Sequence, residues 1–168
     1  MTNIDRLLGI RKLKGISDYQ FGPLITDILF KDLEKITFKR SKNTGKIKYI
    51  YFEKKFFLSL RPTNGFFSLG LLAAQKIINE TKSPKLRAVV LNDISSFIKE
   101  GRNVFCKHVV EIDEALRPKD EIIVVNQNDD LLAVGKLELP VPYVKTFTRG
   151  VGIKVRKGIE KLKNKNLD

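Results

Sequence analysis

Between Glu100 and Asp113 a glycine is followed at once by an arginine, then a short apolar run, then Cys106, Lys107 and His108. Two chemistries are open to these residue types. Side chains two apart on a strand share a face, so Cys106 and His108 could pair as a thiolate and its general base, with Glu111 or Asp113 orienting the imidazole. Gly101 offers the other. Lacking a Cβ, it takes a positive φ readily, so the backbone can bend and be approached closely, and a basic Arg102 just beyond the bend suits a phosphate or sugar. Composition separates the two. The chain has one histidine and one cysteine in 168 residues, with no third ligand and no glycine-rich oxyanion loop beside them. A lone cysteine also excludes an internal disulfide and a cysteine-cluster zinc site. Asp129-Asp130 and Asp113-Glu114 read as turn and solvated carboxylates, and no nucleotide-binding glycine-rich motif is present. The expectation is therefore no catalytic residue, no metal and no cofactor.

Charge points the same way. The net charge is +13, and polyanions, chiefly nucleic acid, are the natural partners of such a field. A lysine-rich surface reflecting thermophily is the plain alternative. Residues 1–82 carry 16 basic against 7 acidic groups, and residues 83–168 carry 16 against 12. The excess thus lies mostly in front. No apolar run approaches the roughly 18 residues of a membrane helix, and Met1–Arg11 lacks the features of a secretory leader. No membrane partner is expected, and the cytoplasm is the simplest compartment.

The elements that must position these residues follow from periodicity. Ile4, Leu7, Leu8, Ile10, Leu13 and Ile16 recur three and four apart, which predicts a helix over Ile4–Gln20 despite Gly9 and Gly15. Gly22-Pro23 breaks it, and Pro23 opens a short helix expected to turn Leu24, Ile25, Ile28 and Leu29 inward. The period then becomes two. Ile36 and Phe38 alternate with polar residues, and Ile47, Tyr49 and Tyr51 are expected on one face, opposite Lys46 and Lys48, after a hairpin with left-handed Gly45. A third strand carries Phe56, Leu58 and Leu60. Asn64-Gly65 turns it into a fourth at Phe66–Leu69, and Leu71, Leu72, Ile77 and Ile78 give a closing helix. The alternation places Tyr49, Tyr51, Phe56, Phe66 and Phe67 in the core rather than against stacked bases. Beyond the polar stretch Thr81–Pro84 the chain reads as mainly β. Strands are predicted at Leu86–Leu91, Asn103–Phe105, His108–Ile112, Glu121–Asn126, Leu131–Leu139 and Val151–Val155. One short helix, capped by Asn92 or Asp93, should bury Ile94, Phe97 and Ile98. Gly135 reads as a bulge or close contact, and Pro140 and Pro142 as a loose segment. The fold class is α+β: a small antiparallel sheet with helices over residues 1–82, a compact β-barrel over 85–158, and a basic tail over 159–168 that should fray.

A family resemblance follows from particular residues. Val89-Val90, Phe97-Ile98, Gly101–Phe105, Val109-Val110 with Asp113, Arg117-Pro118, Asp120-Glu121, Val124-Val125, Leu132–Gly135 and Gly150–Arg156 together resemble a PUA domain. That module is the small RNA-binding barrel named for pseudouridine synthases and archaeosine transglycosylases. Asp18–Gly22, Ser41–Lys48, Leu60-Arg61 and Asn64-Gly65 resemble the domain preceding PUA in archaeal tRNA-guanine transglycosylases, and the pair is similar to the C-terminal part of archaeosine synthase. There is no room for the catalytic barrel of those enzymes, nor for its aspartate nucleophile and zinc site.

The resemblance implies a β-barrel whose RNA-facing surface carries Gly101, Arg102, Asn103, Val104 and Lys107, with Lys154 and Arg156 on the closing strand. Backbone amides and side chains there would hold phosphates and the unstacked 3′ end of an acceptor stem. Arg40, Lys42, Lys46 and Lys48 on the first hairpin would be a secondary RNA contact that tracks a backbone without reading sequence. The implied partners are structured RNA, above all tRNA, and a separate transglycosylase catalytic chain. A ribosome-assembly or translation factor acting on ribosomal RNA, a protein-docking adaptor, and an enzyme working through Cys106 and His108 are the rival readings.

Overall fold

The computed structural model describes residues 3–160, and the chain divides between Glu80 and Thr81 into two units. In the first, α1 (Asn3–Phe21) ends at Gly22, whose φ of 87° breaks the helix, and α2 (Pro23–Leu29) starts on proline. Proline suits that position because its missing N–H has no intrahelical partner there. Four antiparallel strands follow in sequential order: β1 (Ile36–Arg40), β2 (Ile47–Phe52), β3 (Lys55–Leu60) and β4 (Phe67–Leu69). Helix α3 (Leu71–Glu80) closes the unit. Leu13, Ile25, Leu29, Ile36, Ile50, Leu58 and Ile77 form a fully buried core. The Thr26 hydroxyl donates to Ser17 Oγ (2.8 Å) inside it, joining α2 to α1. A Cβ on Gly9 would lie 2.2 Å from the Phe38 ring, so α1 seats against β1 through a glycine.

Two expectations fail here. Leu24 points outward, because a seven-residue helix buries only the face carrying Ile25, Ile28 and Leu29. Tyr49 does not share a face with Ile47. Lys39 pairs with Tyr49 and Arg40 with Ile47, so Lys48 is an extra residue that reverses the pleat. A second shift, with Ile50 opposite Leu58 and Tyr51 opposite Phe56, buries Phe57 and Leu58 together and turns Phe56 out. Tyr49 and Phe56 are consequently exposed and Tyr51 half-buried, whereas Phe67 is core.

The second unit is a six-stranded barrel-like sheet. It comprises β5 (Arg87–Val90), β6 (Val104–Phe105), β7 (Val109–Ile112), β8 (Glu121–Asn126), β9 (Leu131–Leu137) and β10 (Val151–Gly158), in the order β6-β10-β9-β8-β5-β7. Only β5 and β8 run parallel. Strand β8 lies between two neighbours and buries Ile122–Val125, as their unbroken apolar run requires, with Glu121 buried beside them. Helix α4 (Ser95–Lys99) buries Ile98 but leaves Phe97 half exposed. Neither Asn92 nor Asp93 caps it. Asn92 exchanges hydrogen bonds with Gln127 instead, joining two loops. The proline-bearing segment forms a helix, α5 (Val141–Thr146), with Pro142 in its first turn. Gly135 faces Val155, and a Cβ there would stand 2.3 Å from the Lys154 carbonyl oxygen. Strand β10 continues past Val155, and the backbone N–H groups of Ile159 and Glu160 bond to Leu132 and Lys99. The remainder of the basic tail lies outside the described residues.

Candidate nucleic-acid interface

Helix α4 stops in a Schellman arrangement. The Gly101 N–H donates to the Ile98 carbonyl (2.9 Å) and the Arg102 N–H to that of Phe97 (3.1 Å), with Gly101 at φ 100°. The glycine is therefore first a helix terminator, and the chain direction it sets sends Arg102 outward. That side chain is 71% exposed, its guanidinium 5.5 Å from the Phe97 ring centroid and its Nε 3.9 Å from Glu100. Asn103 looks the other way: its Oδ1 accepts the Val155 N–H (3.0 Å), fixing the loop to β10 beside exposed Lys154. The Gly101–Asn103 turn is thus tied to β10 one residue from Lys154.

Three of the expected contacts do not join the turn and Lys154 as side chains. Val104 is fully buried opposite Ile153, so only its backbone could serve. Lys107 is exposed but sits at the far end of β6, in a 3₁₀ turn spanning Cys106–His108. Arg156 is the bulged residue of β10, and its guanidinium holds Glu121 with two hydrogen bonds of 2.8 and 2.7 Å. Glu121 has no exposed side-chain surface, so Arg156 neutralises a buried carboxylate rather than facing a ligand. Unlike Arg102, Arg156 is tied into the sheet by that pair.

The 3₁₀ turn also separates Cys106 from His108. The thiol is 2% exposed while the imidazole is half-buried, and burial pushes the thiol pKa up, keeping it protonated. Among the described residues no group of three or more His, Cys, Asp or Glu side chains is placed to hold a metal ion, and no helix is long and apolar enough to cross a membrane.

The first unit presents a different surface. Two hairpin loops, Ser41–Gly45 and Arg61–Gly65, are built alike. In each, the glycine N–H bonds the first residue's carbonyl (2.9 and 2.8 Å), and that first residue's N–H bonds the residue after the glycine (2.8 and 2.9 Å). Both glycines are left-handed, at φ 65° and 72°. Arg40 donates to the Gly45 carbonyl (3.1 Å) and so stiffens the first loop. Lys42 and Lys46 are exposed on that loop. Because of the bulges, the open face of the sheet is aromatic and cationic. Lys48 Nζ lies 4.9 Å from the Tyr49 ring and Lys39 Nζ 5.3 Å from Tyr51, while Phe56 packs edge-on to both tyrosines. Periodicity alone turned Phe97 inward and gave no surface role to half-exposed Phe105 or to the stacked Tyr143–Phe147 pair at the end of α5. Aromatics four apart, or close to a basic residue, were the available signal.

Two family models match the chain in succession. Residues 11–84 match the family model for patch-forming domain C2 of tRNA-guanine transglycosylase, and residues 87–159 match the PUA domain. The chain pairs a C2 domain with a PUA domain. It is 43% identical over 152 residues to tRNA-guanine(15) transglycosylase of Methanobrevibacter smithii, covering 90% of this chain and 23% of the relative. The same enzyme of Thermococcus onnurineus is 36% identical, covering 88% of the chain and 25% of that protein. The C2–PUA chain therefore spans about a quarter of the length of these curated relatives, at their C-terminal part. A hypothetical protein of Pyrococcus horikoshii shares its fold, with a TM-score of 0.71 at 20% identity over 90% of both chains. A conserved PUA domain protein of Thermoplasma acidophilum does so over 66% of this chain and 68% of its own, with a TM-score of 0.53 at 19% identity.

Proposed function

We propose that the C2–PUA chain is a non-catalytic RNA-binding protein that engages tRNA near the acceptor stem and 3′ end. It would act as a separate subunit, or stand-alone relative, of an archaeal archaeosine-type tRNA-guanine transglycosylase. The observation that carries this reading is the Gly101 loop. A guanidinium rests over an exposed aromatic ring, and Asn103 pins that loop to the strand bearing Lys154. A cation held beside a ring offers a phosphate contact and a stacking surface together, which is what an unpaired, unstacked RNA end presents. Charge of one sign over both units supplies the long-range attraction. The base exchange itself belongs to a partner chain. A buried, protonated Cys106 separated from a half-buried His108 makes a poor nucleophile, which supports leaving the chemistry elsewhere.

The mechanism is positioning. Phosphate contacts fix the orientation of the RNA, and the loop holds its end. The test is tRNA binding by fluorescence anisotropy over a salt series. Arg102→Ala and Lys154→Ala should each weaken binding across tRNA sequences and lower the salt slope by about one ion. Unchanged affinity and slope in both variants would remove this surface from the reading. Stimulation of a transglycosylase catalytic chain lacking its own C2 and PUA domains would test the partner.

A further inference from the structure

A cleft of about 490 Å³ opens in the first unit between α1 and the two matched hairpin loops. Lys12 reaches it from α1, Lys46 and Lys48 from the first hairpin, and Arg61 from the second, while Ser41 and Thr44 add hydroxyl groups. Four cationic residues line it with no carboxylate among them; like charges around one cleft repel, and an anion relieves that repulsion. Arg61, which lines the cleft, has a hydrogen-bonding capacity its own unit does not fully use. Arg61 Nε is buried, yet has no hydrogen-bond partner. A buried guanidinium N–H left unmatched is costly, and in a native fold it asks for an acceptor. The planar fork of arginine fits two oxygens of one phosphate, with lysines as point charges around it.

We propose that this cleft is a phosphate-binding site. Arg61 takes the phosphate through its guanidinium N–H groups, Lys12, Lys46 and Lys48 neutralise its charge, and Ser41 or Thr44 donates a hydroxyl. The phosphate is a backbone phosphate of bound RNA; this source rests on the RNA-binding reading, whereas the site itself does not. The loop construction supports the assignment. Both rims are rigid five-residue turns closed by paired backbone hydrogen bonds, so the cations are carried on pre-formed elements. None of the four belongs to the Gly101 loop.

The test is nuclear magnetic resonance of the full chain, following arginine Nε–H signals during separate titrations with inorganic phosphate, a mononucleotide and tRNA. The Arg61 signal should shift saturably with phosphate and with tRNA. Arg61→Gln and Lys12→Gln should each lower tRNA affinity severalfold and reduce the salt slope by about one ion. Lys12→Gln is a surface change on α1 that guards against a misfolded Arg61 variant. A saturable shift with phosphate or mononucleotide, combined with unchanged tRNA affinity in both variants, would keep the site but overturn RNA as its source. Saturable phosphate binding by a protein that binds no tRNA would likewise keep the site while the RNA reading fails. No shift with any of the three would overturn the site, and tRNA binding that still depends on Arg102 would leave the RNA reading standing.

Discussion

Arg61 of the first unit and Arg87 and Arg156 of the second stand in opposite surroundings. In the second, Arg87 has no exposed side-chain surface; it pairs with Asp129 and donates to the Thr81 carbonyl (2.7 Å). Arg156 is clasped by buried Glu121. In the first, Arg61 reaches a cleft where no carboxylate stands. A formal excess of positive charge is therefore not one quantity. Part of it is internal structure that cannot leave its partner, and part is a field waiting for a counter-ion. Counting lysines and arginines along the chain does not separate the two. Asking which carboxylate each one touches does.

The largest expected effect falls on the internal kind. Arg87→Ala would empty the space of a fully buried side chain, leave the Thr81 carbonyl without a donor and take the cation from a partly exposed Asp129, so the second unit should lose about 3–5 kcal/mol. Urea unfolding measures this directly. A loss under about 1 kcal/mol would mean that Arg87 resembles an exposed pair and would erase the contrast. Arg156→Ala comes next. Glu121 stays buried without its bidentate partner, and because the arginine is itself about a third exposed, water can replace part of what is lost. A destabilisation of about 2–3 kcal/mol is expected. The matching check is that Glu121→Gln with Arg156→Met recovers much of that loss, which a ligand-binding role for Arg156 would not predict.

The failure to sort Arg156 from sequence has a physical cause. Its partner is 35 positions earlier, and nothing local tells a strand arginine facing solvent from one meeting a buried glutamate. The sole hint was Glu121 opening an otherwise apolar strand, a charge placed where charge requires a partner. Much of the rest was legible because it is local. The Gly22-Pro23 break, the Gly45 turn, strand β8 at Glu121–Asn126 and the close contact at Gly135 follow from conformational rules that need no tertiary information. Helix α5 was hidden by Pro142, which reads as a breaker but sits in a first turn, where a missing N–H is harmless. The outward tyrosines were hidden by bulges at Lys48 and near Phe57. A bulge inserts one residue, and one residue reverses every face beyond it. The site was obscured for another reason, on a helix rather than a strand. Its loop was visible as Gly101-Arg102, but the aromatic beneath Arg102 was assigned to the core.

Available cations should show the reverse pattern from buried ones. Arg102→Ala removes an exposed side chain beside one ring and a loose carboxylate, so its unfolding free energy should stay within about 0.5 kcal/mol of wild type. Its tRNA affinity should fall. A variant that lost stability as well would place Arg102 with Arg156 and sharpen the division differently: the second unit would then have no free arginine in the loop at all.

The smallest effect tests the boundary between the two classes. Lys145 on α5 forms an exposed ion pair with Glu114, and the ammonium beside it holds the Glu114 carboxyl below the usual carboxylate range. Folding thus lowers this pKa. A depressed carboxyl contributes stability that is fully present above its unfolded value, near about 4.3 for glutamate, and is lost as pH falls through the folded value. Glu114→Gln should leave the urea midpoint almost unchanged at high salt. It should slightly reduce the difference in midpoint between about pH 6 and about pH 3, and that reduction should shrink as salt screens the pair. A pair behaving this way marks what exposed charge does in this protein: it is seen in the structure, weak in solution, and free to exchange its partner for a phosphate. If instead Glu114→Gln removed a large share of the acid sensitivity at any salt, exposure would not be what distinguishes Lys145 from Arg87, and the division between held and available cations would have to be drawn by hydrogen-bond geometry rather than by burial.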